Sequence, residues 1–200
     1  VISRRHLLSA GSAALLLSAC TTPPAGPPPE DGTIDMLTLL RSKPEHRRFM
    51  EALNRSGLAQ RIGQANGPVT VFAPLDSGWE AVPADLQALL DRPADQLDAA
   101  ARTRLASAVG SNIAWGHLRL EDFPPRFNTV TTWDGGRVRV AQTGPRVASL
   151  RREPPGTAPV TAAAAGSAAA SSAPGRSSAI TRGDVLASDG VIHVTSTPLF

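Results

Sequence analysis

Beyond residue 32 the apolar positions change period along the chain. Ile34, Leu37 and Leu40 recur at helical spacing, and after Pro44 so do Phe49, Met50 and Leu53. Side chains three or four apart share one face of an α-helix, so both segments predict helices with one buried stripe, the second ended by Gly57. Pro68-Val69-Thr70-Val71-Phe72-Ala73-Pro74 is a β-branched apolar run bounded by prolines, which predicts a short buried strand. Asp76, Ser77 and Gly78 then predict a turn. Helical spacing returns with Leu86, Leu89 and Leu90, and again with Leu97, Ala101, Leu105 and Val109. Pro83 and Pro93 stand near the starts of these helices, where a missing N–H costs nothing.

The later half reads as strands. Val130 and Thr132 alternate with polar neighbours up to Asp134-Gly135-Gly136, and Val138 and Val140 resume the alternation, which predicts a hairpin because glycine accepts positive φ in a tight turn. Residues 147–150 predict another short strand. Residues 151–178 break the pattern: Pro154-Pro155-Gly156 leads into Ala, Ser and Gly, with too few large apolar groups to offset ordering entropy, which predicts a flexible insertion. Order resumes at Ile180, and Val191-Ile192-His193-Val194 after Asp189-Gly190 predicts a final strand.

The start of the chain has another logic. Basic Arg4 and Arg5 precede an apolar run over residues 7–17, long enough for a signal peptide and well short of the ~20 residues that span a bilayer. Residues 1–19 therefore predict an export signal. Leu17-Ser18-Ala19-Cys20 resembles the lipobox of bacterial lipoproteins, in which the cysteine becomes a diacylglyceryl thioether and the chain is cut before it. Cys20 is the single cysteine of the chain, so no disulfide can form within it. Several acyl chains would anchor the protein stably, where one would be marginal. Ser3-Arg4-Arg5-His6-Leu7-Leu8 also resembles the twin-arginine export motif. Residues 20–32, with five prolines, predict an extended spacer after the lipidated end, roughly 30–40 Å at ~3.1 Å per residue. Thr21 after the cysteine is no acidic retention signal, so in a two-membrane bacterium the expected destination is the outer membrane.

Composition narrows the function. The 200 residues suffice for one domain with extras, here residues 33–200, and aromatics are only 4%. The pI of about 10.3 suggests nucleic acid. The net charge, however, is only +3, and Arg4 and Arg5 supply two of those charges. Lys43 is the only lysine and the arginines are scattered among acids, so the clustered cations that displace counterions are missing and no nucleic-acid partner is expected.

Two separated motifs carry a family likeness. Thr70-Val71-Phe72-Ala73-Pro74 followed by Trp79 resembles the first signature of fasciclin-like domains, and Asp184-Val185-Leu186-Ala187-Ser188-Asp189-Gly190-Val191-Ile192-His193-Val194 resembles the second. Gly116 and the Gly135-Gly136 hairpin fall in the family's order. The resemblance implies an α+β fold, a wedge-shaped β-sandwich with several helices packed on it, and an adhesion or binding role without catalysis. The chain departs from the pattern at Ser111-Asn112, where a Tyr-His pair is usual, at Trp115, where proline is common, and at Ser196, where aspartate is common.

The resemblance makes Asp184 and Val185 candidate binding residues, since the corresponding pair in animal fasciclin-like proteins is implicated in integrin binding, and Arg182-Gly183-Asp184 spells an integrin-recognition tripeptide. Against this, the fold itself favours Asp at that position, and a segment feeding the final strand is poorly placed as an exposed loop. His193, within apolar strand sequence, reads as a hydrogen-bonded structural histidine. His46 and His117 lack neighbours at metal spacing, and no cofactor or metal is expected. No Gly-x-Ser-x-Gly elbow or phosphate-binding glycine loop favours a hydrolase, which remains a third alternative. The expected function is a lipid-anchored envelope module presenting a surface to an extracellular or periplasmic protein or to a polysaccharide, with a structural accessory lipoprotein serving one envelope partner as the alternative.

Overall fold

Asp35 starts the first helix by accepting the Thr38 N–H at 2.9 Å, satisfying one of the donors a helix leaves open at its start. Those hydrogen bonds hold the Asp35 carboxyl below its ordinary pKa. Helix α1 (Met36–Arg41) buries Met36, Leu39 and Leu40, and after a 3-10 turn at Pro44–His46, α2 (Arg47–Arg55) buries Phe49, Met50 and Leu53. Gly57, at φ 76°, ends α2 as expected but also opens a further helix, α3 (Leu58–Gly63), which the spacing did not separate. The Asp76 turn lengthens into a 3-10 helix over Asp76–Ala81. Helix α4 (Ala84–Asp91) follows Pro83. The helix expected from Pro93 onward starts later: Leu97 is extended, and α5 (Ala99–Gly110) begins only where Asp98 accepts the Ala101 N–H at 2.7 Å. Pro93 opens only a separate 3-10 turn over Ala94–Gln96, and the side-chain acceptor of Asp98 starts α5.

The computed structural model describes residues 26–123, 128–153 and 176–200. Arg4, Arg5 and Cys20, the spacer up to residue 25, and residues 154–175 of the insertion lie outside the described residues.

Seven strands form one sheet: β1 (Val69–Pro74), β2 (Ile113–Trp115), β3 (Asn128–Thr131), β4 (Arg137–Gly144), β5 (Val147–Glu153), β6 (Ser177–Ala187) and β7 (Gly190–Thr195), in the order β2-β1-β7-β6-β5-β4-β3. β1 and β7 are buried at every position and run parallel, Val69 opposite Gly190 and Phe72 opposite His193. All other pairings are antiparallel. The hairpin turn at Asp134-Gly135-Gly136 is as expected, with Gly135 at φ 79°. The flexible reading of 151–178 is corrected at both ends: β5 runs on through Glu153, and Arg151 pairs with Ser177 and Leu150 with Ser178.

Two cores explain the architecture. One face of the central strands, through Val69, Val71, Ile113 and Ile192, packs on the helices. The opposite face, through Phe72 and Ala114, shares a second core with Val138, Val140, Leu150 and Ile180 of the other half of the sheet. The sheet therefore folds over on itself. Its two end strands meet, since Ala114 bridges Thr132 and the Trp133 N–H donates to the Ile113 carbonyl at 2.8 Å. The product is an α+β sandwich with helices on one side, as expected. The fold-over passes through β6, whose pairing with β7 slips on either side of Arg182. These bulges turn the strand, so that Ile180 faces the second core while Val185 and Ala187 face the first.

Candidate functional site

The bulge of β6 decides what the candidate residues can do. Gly183 is buried, its N–H donating to the Arg146 carbonyl at 3.0 Å, and a Cβ there would lie 2.3 Å from Leu120 Cδ1. Asp184 follows at φ 58°, a left-handed backbone that few non-glycine residues adopt and aspartate tolerates. Its carboxylate accepts the Leu120 N–H at 2.7 Å, and its own N–H donates to His193 Nδ1 at 3.2 Å. Val185 is 2% exposed, inside the helix-side core. Arg182-Gly183-Asp184 is thus part of a strand bulge; the Val185 side chain is buried out of a partner's reach, while Asp184 is half-buried with one carboxylate oxygen held by the Leu120 N–H.

His193 completes this internal network. Its Nε2–H donates to the Leu118 carbonyl at 2.8 Å, which leaves Nδ1 to accept from Asp184, and its ring stacks on Phe72 at 5.6 Å. Burial pushes the imidazole pKa below its ordinary value, outweighing the pull of the Leu118 carbonyl and of the Asp184 charge. His46 is likewise buried, its Nδ1–H donating to the Pro74 carbonyl at 3.0 Å. At the Tyr-His position, Ser111 and Asn112 are fully buried, and Asn112 Oδ1 accepts the Leu199 N–H at 3.1 Å, which ties the C-terminal segment to the end of α5. Ser196 accepts the Ala179 N–H at 3.1 Å. Among the described residues no cluster of three or more His, Cys, Asp or Glu could hold a metal, and no helix is long and apolar enough to cross a membrane.

The accessible chemistry lies elsewhere. Trp115, at the end of β2, is 52% exposed, a large indole where the rest of the strand is buried. It leans on Trp133, ring centroids 4.8 Å apart and planes at 36°, and the Arg61 guanidinium lies 4.8 Å from the Trp133 ring centre. An open cleft of about 580 Å³ beside it is lined by Trp115 and by Gln60, Arg61, Gln64, Asn66 and Gly67 from α3 and the turn after it. Three distant segments converge here because Trp133 follows the bridge that closes the sandwich and α3 packs beside α5. In the sequence, Trp115 stood out only as a tryptophan in place of proline, and nothing local linked it to Trp133 or Arg61.

The family model for the Fasciclin domain matches residues 44–200. Among solved structures, a FAS1 domain pair from the insect cell adhesion molecule Fasciclin I is similar, with 16% identity and a TM-score of 0.49 over 78% of this chain and 45% of that one. The chain thus spans less than half the length of that structure. No curated protein matches it. Because the family match runs from the proline that opens the second helical segment through both central strands and both cores to the last residue, this chain belongs to the fasciclin domain family.

Proposed function

We propose that this chain is a lipid-anchored adhesion or binding module of the cell envelope: Cys20 holds it to a membrane, residues 21–32 space it outward, and the domain presents the Trp115 cleft to a protein or polysaccharide. The fasciclin domain suggests an adhesion or binding module. The observation that carries the reading is the half-exposed indole of Trp115, seated on Trp133 at the mouth of an open cleft. Large exposed aromatics are costly to leave in water and are typical anchors of binding sites. The anchor rests on the lipobox-like Leu17-Ser18-Ala19-Cys20, and the outer membrane is the proposed destination.

The test expresses the full chain beside Cys20→Ser, follows intact mass and membrane partition, and uses the soluble Cys20→Ser protein, with and without Trp115→Ala, to capture envelope proteins and polysaccharides. The expected result is a cleaved, acylated, membrane-bound wild type, a soluble variant, and capture that Trp115→Ala reduces. A soluble, unmodified wild type removes the anchor, and capture indifferent to Trp115 removes the cleft.

A further inference from the structure

The Trp115 cleft has a chemistry more specific than adhesion. Trp133 braces Trp115 from behind and is itself covered by Arg61, so the exposed indole face is a rigid platform. The outer edge of β2 cannot receive an added peptide strand, because Ala114 already bridges Thr132 and the Ile113 carbonyl already accepts from Trp133. A protein hot spot seats its aromatic or arginine anchor in a well-packed pocket from which water is excluded. Here the cleft is open, its polar lining is Gln60, Arg61, Gln64 and Asn66 with only Ala65 and glycines between them, and no acidic residue lines it among the described residues.

That combination matches a sugar chain. A pyranose offers a face of C–H groups that stacks on an indole, and a rim of hydroxyls that each donate and accept. The primary amides of Gln60, Gln64 and Asn66 also donate and accept, and Gln60 and Gln64, four apart across the end of α3, fall on the same side. The cleft is open, as a polymer threading past would require. Arg61 adds a sign: its guanidinium lies against the Trp133 ring, and its planar fork of N–H donors suits a carboxylate. Resting on the binding-module reading above, we propose that the cleft binds an acidic polysaccharide, with one sugar ring on Trp115 and its carboxylate on Arg61.

The test titrates the full chain with a hexameric oligogalacturonate, with its methyl ester, which keeps the sugar and removes the charge, and with phosphatidylglycerol vesicles, following tryptophan fluorescence and calorimetry. The expected result is saturable binding of the oligogalacturonate, weakened about tenfold or more by Trp115→Ala and largely kept by Trp115→Phe. Arg61→Gln weakens the acid about tenfold and leaves the ester unchanged, while Arg104→Gln, on α5, changes neither. Thermal unfolding of each variant separates lost binding from lost folding. Absence of saturable sugar binding, binding indifferent to both Trp115 and Arg61, or Trp115-dependent binding to vesicles in place of sugar overturns the proposal. If sugar binding fails while the Cys20→Ser chain still captures an envelope protein through Trp115, the module reading survives without this ligand; if nothing is captured, both fall.

Discussion

At the scale of single residues, His193 shows how a fold can fix a tautomer. The Leu118 carbonyl requires a proton on Nε2, and the Asp184 N–H requires a bare Nδ1. Adding a proton to Nδ1 sets two donors against each other in a buried site, and the neighbouring Asp184 carboxylate only partly offsets this. The folded pKa lies below the ordinary value of about 6.5, so the unfolded chain takes up the proton first. Stability is complete above about pH 6.5 and falls as pH drops through the folded pKa. Circular dichroism melts at pH 7.5 and pH 5 are expected to show a larger loss of Tm in wild type than in His193→Gln; equal losses would remove His193 from the acid response. The apolar strand around position 193 made a structural histidine legible. Its partners were not, because Leu118 and Asp184 arrive from other strands and loops.

At the scale of elements, β6 is the joint of the sandwich. Its bulges let one strand serve two cores, and Gly183 sits at the bend with Leu120 against it. Leu120 is itself fully buried and has nowhere to retreat, and the Arg146 carbonyl lies 3.1 Å from a Cβ built at Gly183. Gly183→Ala is therefore expected to destabilise the protein by about 1–3 kcal/mol, the usual cost of overpacking, measured by urea unfolding. A change below about 0.5 kcal/mol, the range of an ordinary surface substitution, would mean that the bend adapts freely. Bulges are hard to read from sequence because an extra residue keeps the composition of a strand and changes only its register.

For the whole molecule, the sheet order sets cooperativity. β7 comes last in the chain yet lies between β1 and β6, with Ile192 in the helix-side core and His193 stacked on Phe72 of the second. A chain stopped after Asp189 leaves β1 without its parallel partner and parts the two halves of the sheet. Such a truncation is expected to lose the single cooperative unfolding transition of the intact chain; a retained sharp transition would show that the helices and β1 fold without β7. The topology also positions the cleft. Trp115 pairs with Val69, Val69 with Gly190, and the incoming segment bridges at Asp31 to Leu186, next to the β6–β7 turn. Glu30 pairs there with Lys43 and Arg182. The cleft and the incoming chain thus share one end of the sheet, four strand spacings or roughly 19 Å apart along it.

The sequence alone determined what depends on neighbours in the chain: the helical stripes of α1, α2 and α4, the buried run of β1, the Gly135 hairpin and the two signatures of the family. Each of these follows from side-chain periodicity or from turn chemistry within a few residues. It misjudged the start of α5 and the limits of the insertion, where local signals compete or where pairing with a distant strand extends an element. Only the tertiary structure decided that Val185 faces inward, that Asp184 holds the Leu120 N–H, and that Arg61, Trp115 and Trp133 form one surface. Those outcomes depend on long-range register and on the closure of the sheet, which bring together residues with no local relation in the chain.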